Sequence, residues 1–230
     1  MIAIEDLQTL YDTSYFEERE NTVCIKEQQR NNPNALSKVD FTFSGKLINI
    51  KSTFLKNSET IYRKHTEHLN FRQICDGVLI IKYNEKNFIV WVELKSGYNE
   101  VCKKAIFQLP ASYIKLKSHL KNFPNYIPDQ YAELGIIVSY PPQKYENDND
   151  DIMKAKRKLV KYETAYDRIR AKYDKDIREH HATCLMGEDF GFNEMNIQDD
   201  IKMKSLFIHH HNANSPNNMT IDLDKILDTI

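Results

Sequence analysis

An aspartate at the head of one apolar run and a Glu-x-Lys triplet at the foot of the next are the residues of this 230-residue chain whose types and spacing suit a reaction. Asp76 opens Asp76-Gly77-Val78-Leu79-Ile80-Ile81-Lys82-Tyr83, and Glu93-Leu94-Lys95 closes the run that begins at Phe88. Two carboxylates and a backbone carbonyl, here that of Leu94, suit Mg²⁺ or Mn²⁺, hard cations that keep several waters. A cation so held turns water into a nucleophile and stabilises charge on a phosphate. Lys95, a compact positive charge beside it, can orient that water or balance the phosphate.

The triplet alone carries no weight, because a chain this rich in acids and lysines produces such triplets by chance. A second one, Asp200-Ile201-Lys202, is present. Placement separates them. Only the first ends a buried-looking strand whose hairpin partner starts with an acid. Both runs are β-branched and aromatic on both faces, the pattern of central strands in a covered sheet. Asn84-Glu85-Lys86-Asn87 reads as a four-residue connection. A hairpin symmetric about Glu85-Lys86 sets Asp76 opposite Lys95, with Glu93 a diagonal neighbour. Strand period then places all three on one face. Direct neighbours lie about 5 Å apart and diagonal ones about 7–8 Å, within reach of a shared cation. The ordinary fate of such residues is a solvated rim or a surface ion pair. Against it stands the cost of charge inside apolar strands that is neither paired nor metal-bound.

Other elements must position these residues. Ile4, Leu7, Leu10, Tyr11 and Phe16 predict a helix over residues 3–20. Asp40–Phe43 and Lys46–Ile50 read as a strand pair turning at Ser44-Gly45. Residues 55–70 are polar and carry no clear pattern. From Asn99 to Leu120 a helix is expected, with Val101, Ala105, Ile106, Leu109, Tyr113, Leu116 and Leu120 on one side and Pro110 kinking or splitting it. Leu134–Tyr140 reads as another buried strand. After Pro141-Pro142 an acidic run leads into a long charged helix over 151–179 with a heptad-like seam. Ser205–His209 reads as a strand, followed by a polar loop and a short terminal amphipathic helix.

Asp76, then Glu93-Leu94-Lys95 on the following strand, within Ile74-Cys75-Asp76-Gly77-Val78 and Val92-Glu93-Leu94-Lys95-Ser96-Gly97, resembles the active site of the PD-(D/E)xK nuclease superfamily. So does the following helix with Lys103, Lys104 and Gln108. The chain departs from the eponymous motif in having Cys75 where proline often stands. The resemblance covers roughly residues 1–142. It implies an α/β (α+β) fold with a restriction-endonuclease-like αβββαβ core and a central mixed sheet flanked by helices. Residues 143–230 would be a C-terminal extension, its long helix, strand and terminal helix packing on the core or on a partner. The implied activity is that of an Mg²⁺- or Mn²⁺-dependent endonuclease acting on DNA, in restriction, anti-phage defence or mobile-element processing, beside a helicase or ATPase partner. Asp76, Glu93, Lys95 and Gln108 would be catalytic, with Asp76, Glu93 and the Leu94 carbonyl on the metal and Lys103 and Lys104 on nucleic acid. An acid among Glu17, Glu18, Glu20 and Glu27, or the histidine His68, would complete the site.

Alternatives stand beside this. The nuclease-like fold can serve as a non-catalytic scaffold whose long helix docks a partner or makes a homodimer. RNA is the other polymer, although no RNA-binding aromatic signature is visible. His65 and His68 read better as a polar loop than as ligands. His180, His181 and Cys184 lack a second pair at zinc spacing. His209-His210-His211 falls on the expected strand. The lysines and arginines between Lys154 and Lys175 read first as a solvated face.

Composition narrows the class. The formal charge of -1, from 32 basic and 33 acidic residues, excludes a polybasic protein, so any nucleic-acid contact rests on local patches. With 41% apolar residues, 6 Gly and 7 Pro, the chain carries enough for a packed core. Four scattered cysteines without a CxxC pair, no basic-then-apolar leader and only strand-length apolar runs predict a cytoplasmic protein with reduced thiols.

Overall fold

The computed structural model describes residues 1–27, 36–57, 74–95, 106–139, 177–183, 204–210 and 218–230. In chain order the elements are α1 (Ile4–Leu10), β1 (Phe16–Lys26), β2 (Lys38–Lys51), α2 (Ser52–Asn57), β3 (Gly77–Tyr83), β4 (Lys86–Lys95), α3 (Ile106–Leu120), β5 (Tyr131–Ser139), β6 (Ile177–Thr183), β7 (Lys204–His210), β8 (Asn218–Asp222) and α4 (Leu223–Leu227). The fold is mixed α/β on one open mixed sheet of order β1-β2-β3-β4-β5-β7-β6, with β8 beside β2. The strands from β1 to β4 are antiparallel, whereas β4, β5 and β7 run parallel.

Period-two alternation divides the apolar side chains of the central strands between two cores. Ile48, Ile50, Val78, Ile80, Ile89, Trp91 and Ile137 pack under α1, α2 and α3, with Leu7, Phe54, Leu109, Tyr113 and Leu116 closing that side. Leu79, Ile81, Val90, Val92, Ile136 and Val138 pack against Val23, Ile25, Val39 and Phe41, together with Ile221, Leu223 and Ile226. The second core is thus roofed by the far halves of β1 and β2, by β8 and by α4.

That roof depends on a bend. The expected turn at Ser44-Gly45 is absent, and residues 38–51 form one strand. Gly45 has φ +86°, and the register against β1 shifts between Glu20 and Thr22. A glycine in this conformation bends a strand as a bulge does, without reversing it. Each half then finds its own partner: Leu47–Lys51 pairs with β3, and Lys38–Thr42 pairs with β8. The strand β8 itself lies where a polar loop was expected.

Other expectations change for local reasons. The helix over 3–20 stops at Leu10, and Tyr11 is already extended. Asp12 caps a 3-10 turn by accepting the Ser14 N–H, and Phe16 begins a strand. A six-residue helix, α2, occupies Ser52–Asn57, where the polar stretch gave no pattern. Helix α3 runs unbroken through Pro110, in its second turn, where only the bond back to Ile106 is forfeited. Ile177–Glu179, expected to end the long helix, belong to β6. The rest of that helix lies outside the described residues.

Strands β3 and β4 stand where the sequence places them, but their turn is tighter. Tyr83 pairs with Lys86, so the loop is the two residues Asn84 and Glu85, both at positive φ (45° and 63°). That is a type I′ turn, whose twist suits a hairpin. The register therefore moves by two residues: Gly77 faces Val92, and Asp76 comes beside Glu93 instead of Lys95. A shift of two keeps every strand residue on its expected face. From the C-terminal part, β7 continues the sheet beyond β5, while β8 and α4 join the second core. Among the described residues no helix is long and apolar enough to cross a membrane.

Candidate metal-binding active site

Glu93 and Lys95 leave β4 on the same side as Ile89 and Trp91, under the helices. Both are buried, Glu93 completely. The Lys95 ammonium donates to Glu93 Oε1. Glu93 Oε2 is buried and has no hydrogen-bond partner. A lone buried carboxylate oxygen is costly unless something positive reaches it. Burial, and then the Asp76 charge, hold the Glu93 carboxyl well above the ordinary glutamate value despite Lys95. For Lys95 burial opposes charge, but Glu93 and Asp76 outweigh it, so the ammonium persists.

Asp76 sits one residue before β3 begins. Its N–H donates to Val92 O at 3.0 Å, and its carboxylate Oδ2 accepts the Leu94 N–H at 2.8 Å. The side chain thus takes over from β3 as the acceptor for β4. N–H and C=O of one strand residue leave by the same edge, so the Leu94 carbonyl faces the edge on which Asp76 stands. Asp76, Glu93 and the Leu94 carbonyl therefore meet at one end of the hairpin.

Two further elements close in. Gln108 on α3 donates through Nε2 to Ile74 O at 2.8 Å, while its Oε1 is buried without a partner. Gln108 thus secures the chain just ahead of Asp76. Ser112, one turn later and fully buried, accepts the Cys75 N–H at 2.7 Å. Burial pushes the Cys75 thiol up to about 12, against the Ser112 hydrogen bond, so this sulfur stays a protonated core group at neutral pH. Glu27, just past β1, adds its negative charge to the field on both Glu93 and Lys95. Ile25, two residues earlier, lies against the start of β3: a Cβ on Gly77 would stand 2.6 Å from Ile25 Cδ1.

Glu27 is thus an early acid whose charge reaches Glu93 and Lys95, and it follows a strand, not the helix the resemblance implies. Glu17, Glu18 and Glu20 lie on β1 in surface ion pairs: Glu17 with Arg19 (2.6 Å) and Lys51 (2.7 Å), Glu18 and Glu20 with Lys46 (2.8 and 3.1 Å). Lys103, Lys104, His65, His68, Cys184 and His211 lie outside the described residues. His180 and His181 fall on β6, and His209 and His210 on β7. Sequence reasoning missed Ser112, although its spacing of four from Gln108 places both on one helix face.

The donor set fits a hard divalent cation. Among the described residues no group of three or more His, Cys, Asp or Glu side chains gathers as a metal cage. Two carboxylates and a carbonyl are instead what Mg²⁺ takes when water and a phosphate supply the rest. The buried, partnerless Glu93 Oε2 is the position such an ion would satisfy.

Compared with known protein families, with curated proteins and with solved structures, the chain gives no match.

Proposed function

We propose that the protein is a metal-dependent nuclease that hydrolyses phosphodiester bonds, with DNA as its polymer and a core of the restriction-endonuclease-like kind. The observation that carries this reading is Glu93: a fully buried carboxylate with one oxygen on Lys95 and the other without a hydrogen-bond partner. A buried carboxylate oxygen left over by an ion pair is costly, and a cation would satisfy it.

Asp76, Glu93 and the Leu94 carbonyl would hold Mg²⁺ or Mn²⁺, which supplies Lewis acidity towards the scissile phosphate and lowers the pKa of an attacking water. The protein's own contributions are positional and electrostatic. Lys95, held charged by its neighbouring carboxylates, faces the same space and offsets negative charge that builds on the phosphate oxygens. Gln108 and Ser112 secure the chain ahead of Asp76, and its bond to Leu94 N–H fixes the carboxylate against β4.

The experiment is incubation of purified protein and its Lys95→Ala variant with plasmid, single-stranded DNA and RNA, in Mg²⁺, Mn²⁺ or chelator. Metal-dependent cutting of DNA, lost in the variant, is expected. Cutting of RNA alone would keep the chemistry and replace the polymer. Cutting that survives Lys95→Ala, or a protein that neither cuts nor binds Mn²⁺, would sink the reading.

A further inference from the structure

We propose that Ser112 is a positioning residue that sets how tightly the Asp76–Glu93 pair holds its divalent cation. This rests on the nuclease reading above and extends it to a residue that touches neither metal nor substrate.

Three consecutive residues bring the chain into the site, and each is tied down. Ile74 O accepts from Gln108, Cys75 N–H donates to Ser112 Oγ, and Asp76 is held to β4 through its N–H and its carboxylate. Two ties come from α3 and two from the sheet, so Asp76 is placed by their agreement. The Ser112 tie spans 37 residues of sequence and is buried on both sides. Cys75 brings a buried N–H donor that must be satisfied. Ser112 supplies the acceptor at 2.7 Å.

Helix α3 cannot follow the segment if the tie is cut. Its far end is anchored by Lys117 on Glu133 at 3.0 Å and by His119 on the Tyr11 hydroxyl at 3.0 Å. Without the Ser112 oxygen, the Cys75 N–H must seek another acceptor, and the chain that moves is the one carrying Asp76. Loss of such an outer partner of a metal ligand typically lowers metal affinity by about 10- to 100-fold.

The test is Mn²⁺ binding by calorimetry to the full chain, corrected for folded fraction by circular dichroism. Wild type, Ser112→Ala, Ser112→Cys and Glu93→Gln are compared. Wild type should bind and Glu93→Gln should not, while both Ser112 variants should bind at least about 10-fold more weakly. Should Ser112→Ala fail to fold, the nearly isosteric Ser112→Cys decides. A folded Ser112 variant with wild-type Mn²⁺ affinity would overturn the inference and leave the nuclease reading standing. A wild type that binds no better than Glu93→Gln would remove both.

Discussion

Asp76 is bonded to the residue between the other two members of its site: its Oδ2 accepts the N–H of Leu94, the residue between Glu93 and Lys95, at 2.8 Å. The carboxylate is thus both a candidate ligand and a piece of the sheet. These roles separate by substitution. Asp76→Asn keeps an oxygen for Leu94 N–H, so it should fold with near wild-type stability and lose Mn²⁺ binding. Asp76→Ala strands the N–H as well and should cost a further ~1–3 kcal/mol in urea unfolding. Equal stability of the two variants would show that the bond to Leu94 contributes nothing.

The raised Glu93 carboxyl gives stability a definite pH dependence. Its proton is held more tightly in the folded chain than in the unfolded one. The resulting stabilisation is complete below the ordinary value of 4.5 and is lost as pH climbs through the raised value. Without divalent cation, wild type should therefore lose stability relative to Glu93→Gln as pH rises from about 4.5 towards neutral. Mn²⁺ should restore it and release a proton on binding. Parallel pH profiles for the two proteins would contradict this.

Gly77 has no room for a side chain. Its Cβ would meet Ile25 Cδ1 at 2.6 Å and Cγ2 at 3.2 Å. Gly77→Ala should destabilise by ~1–3 kcal/mol through overpacking. Ile25→Val removes Cδ1 and should recover part of the loss, a non-additive cycle in denaturant melts. Strict additivity would show that contact with Ile25 does not limit Gly77.

Away from the site, Glu133 accepts from Trp91 Nε1 at 2.9 Å and pairs with Lys117 at 3.0 Å, all buried or nearly so. Glu133→Ala leaves both donors without their acceptor and should cost ~3–5 kcal/mol. Mn²⁺ affinity in the folded fraction should change less than in Ser112→Ala, because His119 on Tyr11 still anchors α3. A loss as large as that of Ser112→Ala would extend the site to the far end of α3.

Much of the candidate site was legible because it lies on the two most strongly patterned strands. Asp76, Glu93 and Lys95 needed only the β-branched runs around them, and a two-residue error in register left Glu93 and Lys95 on one face. The turn misled because Glu85, unlike glycine, gives no sign of its positive φ. Gly45 misled in the opposite sense: beside a serine it reads as a turn, and only the separate partners of the two halves of β2 make it a bend. Glu27 could be suspected but not chosen, since its nearness to β4 depends on how the end of β1 packs against Gly77. Ser112 stayed hidden because a serine inside a helix carries no signal until the donor opposite it is known.

The bend in β2 also governs the order in which the molecule can be put together. Ser44 bonds to Asp224 across 180 residues of sequence, and Lys38–Thr42 waits for β8. Loop closure over such a span is slow compared with forming the β3–β4 hairpin. Until it happens, Val39 and Phe41 lack their cover, and the half-strand that bears them offers an unpaired edge. The β3–β4 hairpin is therefore expected to mature early and its roof late. In that interval the unpaired edge is where aggregation would start.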